Sequence, residues 1–128
     1  MLSSYDDAAR ALNASLPGEV LRVEASPGFF TLFSSDWHVI VFCRWWLSYP
    51  DARVVDGDSS VESSAAEVIG SMAGRIAATF GYAPDHPEVA LLAFADGTVL
   101  AMETDSDYEP WSLYTPQGSF TAALSDFR

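Results

Sequence analysis

Phe94-Ala95-Asp96-Gly97-Thr98-Val99-Leu100 is the stretch on which the reading of this chain turns. Asp-Gly between two apolar runs is a strong hairpin signal, because a type I′ turn needs positive φ at both central positions and these residues tolerate it. The flanks agree, since Glu88–Phe94 and Thr98–Glu103 both read as strands. Upstream, Arg75–Phe80 reads as a strand followed by the loop Gly81–His86. Before it, Ser60 or Ser64 starts a helix, with Glu67 three residues after Ser64 in the spacing of a capping box. Val61, Ala65, Val68 and Met72 fall on one face of that helix, and Gly74 is placed to close it. Downstream come an acidic loop, Asp105–Glu109, a short strand, Trp111–Tyr114, and a tail, Thr121–Arg128.

The same order stands in the first half. Residues 3–13 predict a helix capped by Ser4, with Tyr5, Ala8, Ala9 and Leu12 on one face and Pro17-Gly18 as its stop. Strands follow at Glu19–Ala25, Phe29–Phe33 and Trp37–Leu47, then a polar loop, Pro50–Asp58. Three blocks match between the halves. Leu16-Pro17-Gly18-Glu19-Val20 lies over Met72-Ala73-Gly74-Arg75-Ile76. Asp36, Val39, Ile40 and Phe42 lie over Asp96, Val99, Leu100 and Met102. Trp45, Leu47 and Pro50 lie over Trp111, Leu113 and Pro116. The expected fold is α+β, a single domain over 1–128 made of two pseudo-repeated α-β-β-β units, about 3–58 and 59–119. Its strands form a mainly antiparallel sheet, or two packed sheets, with two covering helices. The third strand of each unit is apolar at both parities, which predicts a central position covered on both faces. A homodimer covering one face is the other way to satisfy that pattern.

Composition supports a folded core and narrows the partners. Of 128 residues 49% are hydrophobic, with four Trp, five Tyr and eight Phe, so the chain needs neither disulfide nor metal to fold. It has no apolar run of the ~18 residues a membrane span needs, and its first residues lack the basic-then-apolar pattern of a secretory signal. With a single cysteine, Cys43, these features predict a cytoplasmic protein. Eighteen acidic residues face six Arg and no Lys, a formal charge of −12. Nucleic acid and anionic membrane are repelled by such a chain, whereas a basic protein or a cation is attracted.

No catalytic constellation is legible, and the expectation is that the chain is not an enzyme. His38 and Cys43 are five residues apart on one expected strand and so point to opposite faces. Ser71, in Gly70-Ser71-Met72-Ala73-Gly74, lacks the spacing of a nucleophile elbow. Metal-ligand motifs, a P-loop and Rossmann glycine spacing are all missing, and no cofactor is expected.

The candidate site residues are therefore acids and aromatics. Glu103, Asp105, Asp107 and Glu109 alternate, which on an extended segment sets like charges about 7 Å apart on one side. A basic partner, a cation or water alone would relieve that repulsion. A second acidic stretch contains Asp51, Asp56 and Asp58. Tyr108 stands among the acids, where an aromatic suits an Arg-rich partner. Trp45 and Trp111 occupy repeated positions and read as core anchors. Trp37 has Gly97 as its counterpart and sits at an expected hairpin tip, which predicts an exposed recognition aromatic.

Phe94-Ala95-Asp96-Gly97-Thr98-Val99-Leu100, followed by Tyr108-Glu109-Pro110-Trp111-Ser112-Leu113, resembles a signature of small uncharacterised bacterial proteins, F-x-D-G-T-x-L and then Y-E-x-W-x-L. Some of these are similar to immunity proteins of bacterial toxin systems. The resemblance covers the last third of the chain and, more weakly, its repeat, where Ser35-Asp36-Trp37 replaces Asp-Gly. The motif is a fold signature, a hairpin plus a closing strand, and implies little about individual residues. Together with the charge, the compact size and the lack of a catalytic constellation, it leads to the expectation of a non-enzymatic, acidic, protein-binding domain that neutralises a basic toxin such as a nuclease. From the acids and aromatics, the expected partner-binding residues are Trp37, Asp51, Asp56, Asp58, Glu103, Asp105, Asp107, Tyr108 and Glu109, on a monomer or homodimer. The alternatives are a nucleic-acid mimic that inhibits a DNA-binding protein and a small-ligand or calcium-binding module.

Overall fold

A computed structural model describes residues 1–56 and 62–127 of the chain. In the first half come α1 (Tyr5–Asn13), β1 (Gly18–Glu19), β2 (Arg22–Ser26), β3 (Phe29–Phe33), β4 (His38–Val41), β5 (Trp45–Ser48) and β6 (Val54–Asp56). In the second come α2 (Glu62–Gly70), β7 (Ile76–Tyr82), β8 (Val89–Phe94), β9 (Val99–Glu103), β10 (Trp111–Thr115), β11 (Gly118–Thr121) and a 3-10 turn (Leu124–Phe127). The strands form two antiparallel sheets, ordered β1-β7-β8-β9-β5-β6 and β11-β10-β4-β3-β2. Ser4 caps α1 as expected, its hydroxyl accepting the Asp7 N–H at 3.0 Å. The described part of α2 ends at Gly70, one turn earlier than expected, and Gly74 takes its φ of 87° in the turn that follows. Ser60 and Val61 lie outside the described residues.

The expected third strand, Trp37–Leu47, is two strands in different sheets. β4 stays with β2 and β3, and after Phe42-Cys43-Arg44 the chain crosses so that β5 pairs with β9. The second half does the reverse. β10 leaves the β7-β8-β9 meander and pairs with β4. Trp45 faces Met102 and Leu47 faces Leu100 in the first sheet, while Trp111 faces Val41 and Leu113 faces Val39 in the second. No glycine or proline marks the crossing at Phe42-Cys43-Arg44, so the sequence reads as one uninterrupted run.

Val39 and Val41, not Ile40 and Phe42, stand opposite Leu113 and Trp111, as Leu100 and Met102 stand opposite Leu47 and Trp45. A one-residue slip exchanges the faces of a strand, and burial decides the matter. Val39, Val41, Leu100 and Met102 are all buried, while Phe42 is 48% exposed. The expectation that β4 is covered on both faces fails for the same reason. It alternates, with His38 and Ile40 half-buried on the outer side. Its central place in the five-stranded sheet is as expected.

The inner faces of the two sheets share one core. Trp45 of the first sheet meets Phe30 of the second edge-on at 5.3 Å, and Trp111 of the second meets Phe80 of the first at 5.8 Å. Edge-to-face pairs of this kind add about 0.5–1.5 kcal/mol each beyond burial. α1 lies against β7 of one sheet and β10 and β11 of the other, and α2 lies against β2. No helix among the described residues is long and apolar enough to cross a membrane.

The Asp96-Gly97 turn joins β8 to β9 as expected but with different geometry. Only Gly97 has positive φ, 90°. Its N–H donates to the Phe94 carbonyl at 3.0 Å and Phe94 N–H donates to Thr98 at 2.8 Å, the pattern of a three-residue hairpin loop ending in a left-handed glycine. Asp96 is freed from positive φ and instead accepts the Thr98 N–H at 2.9 Å and a bond from Arg75.

Two measurements check this account. Trp111 Nε1 donates to Thr104 Oγ1 at 3.0 Å in the buried core. Thr104→Val strands that N–H, and urea denaturation should register a loss of about 1–3 kcal/mol. The Asp96 carboxyl is held below its ordinary 3.8, first by the Thr98 N–H and further by Arg75. A lowered folded pKa stabilises above the unfolded value and is lost as pH falls through the folded one. Asp96→Asn should therefore narrow the stability gap between neutral pH and pH below about 4.

Candidate functional site

The crossing of β5 into the first sheet brings Asp56 of one acidic stretch and Glu103 of the other beside the Arg44–Trp46 segment at one end of that sheet. Trp46 stands between Asp56 on β6 and Ala101 on β9, and Glu103 N–H donates to the Arg44 carbonyl at 2.9 Å. The Arg44 guanidinium lies 3.8 Å from the Glu103 carboxylate and 5.8 Å from the Trp46 ring. Arg44, Trp46, Val54 and Asp56 line a shallow, open depression of about 250 Å³. The sequence reading reached Asp56 and Glu103 here and missed Arg44, Trp46 and Val54. What would have found them is the β5–β6 hairpin, concealed within an apparently polar loop.

The segment after β9 is not the one-sided array that alternation predicted. Asp105 accepts the Arg44 N–H at 3.0 Å, and Asp107 accepts the Ser125 N–H at 2.7 Å. Leu124 N–H donates to the Ser106 carbonyl at 2.9 Å, and the Ser106 hydroxyl accepts the Tyr108 N–H at 3.3 Å. At the far end Phe42 N–H donates to the Pro110 carbonyl at 2.9 Å. Loop amides need acceptors, and short acidic side chains supply them without a regular ladder. The loop is thus pinned along its length, and Asp105 and Asp107 are engaged in pinning it. Tyr108 and Glu109 stand out from it. Tyr108 is 89% exposed, and Glu109 sits at a φ of 51°, a left-handed conformation that non-glycine residues rarely hold.

Asp51 belongs to a different corner. It lies in the β5–β6 turn, accepts the Arg53 N–H at 3.1 Å and pairs with the Arg53 guanidinium at 3.6 Å. Asp58 lies outside the described residues. Trp37 is not an exposed recognition aromatic: it is only 2% exposed and belongs to the core. Ser34 N–H donates to its carbonyl at 2.8 Å, and the indole turns inward over Gly18, where a Cβ would come within 3.0 Å of Nε1. The tip sends its largest side chain back into the protein, which the hairpin pattern alone does not reveal.

Elsewhere the reactive groups are muted. Burial pushes the Cys43 thiol up to about 12, with Asp105 and Glu103 adding to the shift, and burial lowers His38. Among the described residues no three His, Cys, Asp or Glu side chains come together to hold a metal. Each of the five described arginines has a carboxylate within 4 Å: Arg10 with Asp7, Arg22 with Glu24, Arg44 with Glu103, Arg53 with Asp51 and Arg75 with Asp96.

Comparison with models of known protein families, with curated proteins and with solved structures returned no match. The geometry of the loop has a direct consequence. Asp107→Ala should cost about 1 kcal/mol of stability and speed hydrogen exchange at the Ser125 amide, while leaving exchange in β8 and β9 unchanged.

Proposed function

We propose that this chain is a non-enzymatic protein-binding domain whose acidic side recognises a basic protein through the loop 105–109. The observation that carries the reading is Tyr108, a large aromatic held almost fully in water on a loop fixed by hydrogen bonds at Asp105, Ser106 and Asp107. A rigid exposed aromatic loses little entropy on docking and makes a good anchor. Glu109 beside it and Asp56 across the sheet have no arginine or histidine within 4 Å among the described residues, so their charge is free to act on a partner. Neutralisation of each described arginine by a neighbouring acid leaves no basic patch among the described residues to draw an anionic ligand. Electrostatic steering of a cationic partner follows from that field.

Within this reading the partner of choice is a basic toxin, such as a nuclease, in the cytoplasm, with the chain as its immunity protein. The support is the charge and the resemblance in the last third of the sequence. A nucleic-acid mimic acting on a DNA-binding protein is the second reading; it shares the charge and differs in that DNA competes for the same partner. A calcium-binding module is less favoured, because Asp105 and Asp107 are engaged by backbone amides.

We also read the architecture as a duplicated α-β-β-β unit in which each copy lends its Trp-x-Leu strand to the other copy's sheet. The support is the reciprocal pairing of β5 with β9 and β10 with β4, and the paired Trp45–Phe30 and Trp111–Phe80 contacts. The two helices would then be equivalent covers, one to each unit.

The test is co-expression with basic toxins encoded at the same locus, followed by binding measurements. Tyr108→Ala and Glu109→Lys should each weaken the complex about tenfold or more with the unfolding midpoint unchanged. Unchanged affinity in both would move the interface away from this loop, and no neutralised or co-purified product would remove the immunity reading.

A further inference from the structure

The 3-10 turn Leu124–Phe127 has no buried residue, so packing alone holds it weakly. Its hold comes from the amides that open it. The first N–H groups of a helical turn have no partner within the turn and need acceptors from elsewhere. Ala123 N–H donates to the Tyr5 hydroxyl at 3.1 Å, Leu124 N–H to the Ser106 carbonyl at 2.9 Å and Ser125 N–H to the Asp107 carboxylate at 2.7 Å. Three consecutive amides thus take one acceptor from α1 and two from the acidic loop. Tyr5, the first residue of α1, is the fixed end of this arrangement. Its ring packs edge-on against Phe120 at 4.8 Å and Tyr82 at 5.7 Å, and the Tyr82 hydroxyl donates to its carbonyl at 2.6 Å. Phe127 lies 4.9 Å from the same ring. The Tyr5 hydroxyl also donates to the Asp126 carboxylate at 2.7 Å. Burial pushes the phenol above its ordinary 10.0, so it keeps the proton that this donation needs.

The acidic loop is therefore held from two sides. Its ends are pinned to the crossing at Phe42-Cys43-Arg44, through Arg44 N–H to Asp105 and Phe42 N–H to Pro110. Its middle is pinned to the 3-10 turn through Ser106 and Asp107, and the Ser106 hydroxyl in turn accepts the Tyr108 N–H. Loss of the turn frees the middle and leaves the ends in place. We propose that the turn is a strap across the loop, anchored by Tyr5 and Asp126, and that the strap and residues 106–108 open and close as one local unit. The consequence for binding rests on the proposed role of the loop. An ordered loop gives Tyr108 one position from which to dock, and by linkage a partner that grips the loop also steadies Leu124 and Ser125. The coupling of strap to loop needs no partner and is a property of the free chain.

Residue-resolved amide hydrogen exchange of the free chain, compared with Tyr5→Phe, is the experiment. That substitution removes the hydroxyl and keeps the ring. Loss of a hydrogen bond of ordinary strength raises a local opening equilibrium by up to about tenfold. The expected result is that the Leu124, Ser125 and Tyr108 amides all exchange faster by one common factor of about that size. Arg44 and the amides of β8 and β9 should keep their rates. Should Tyr5→Phe fail to fold, Asp126→Ala, which removes the other half of the anchor, carries the comparison with the same expected pattern. Faster exchange at Leu124 and Ser125 with Tyr108 unchanged overturns the proposal, because the turn then opens without the loop. Unchanged exchange at all three amides overturns it as well, and so does equal acceleration in β8 and β9, which marks a global loss of stability. The expected pattern in the free chain, beside an affinity for the basic partner that Tyr108→Ala leaves unchanged, would keep the strap and remove the binding role of the loop.

Discussion

The exchange of β5 and β10 between sheets is the constraint from which the rest of the molecule follows. Each three-stranded meander has one apolar face and cannot bury it alone. Pairing the strand of Trp45 with β9 and the strand of Trp111 with β4 ties the two meanders into a single core. Each tryptophan then reaches across to an aromatic of the opposite sheet, Phe30 or Phe80. Two segments must travel from one sheet to the other for this to happen, Phe42-Cys43-Arg44 and the loop 104–110. Both segments end up side by side, joined by Arg44 N–H to Asp105 and by Phe42 N–H to Pro110. The candidate site is located where these two of the fold's crossings meet.

Acidic residues serve two different purposes in this chain. Asp96, Asp105 and Asp107 accept backbone amides where the chain turns, and Glu103, Asp51 and Glu24 neutralise nearby arginines. Those residues shape the loops. Glu109 and Asp56 have neither duty among the described residues and contribute field without holding the fold. A charge of −12 is costly to a compact molecule, and the acids that shape loops offset part of that cost through local bonds. The remainder is what a basic partner would meet, beside the exposed ring of Tyr108.

Much of the fold was legible because it rests on local rules. The Ser4 cap, the hairpin at Asp96-Gly97 and the core roles of Trp45 and Trp111 are written in short patterns and survive in the structure. The crossing at Phe42-Cys43-Arg44 was not, since both of its strands are apolar and nothing between them breaks the run. That one omission also hid β6 and predicted β4 to be covered on both faces. Exposure was legible at Tyr108 and Glu109, in keeping with their acidic setting. It was misread at Trp37, because no sequence rule tells a tip residue that folds back over a glycine from one that points into water. Asp105 and Asp107 were seen as charges, and their service as acceptors depends on amides eighteen to sixty-one residues away.

The account joins a rigid scaffold to a pinned acidic loop and holds that the loop is where a basic partner sits. Hydrogen–deuterium exchange of the chain with and without the basic protein of its own locus tests that most directly. Added protection at residues 105–109, with the outer strands β2 and β11 unchanged, is the predicted result. A stable complex that leaves 105–109 as exchangeable as in the free chain would contradict it.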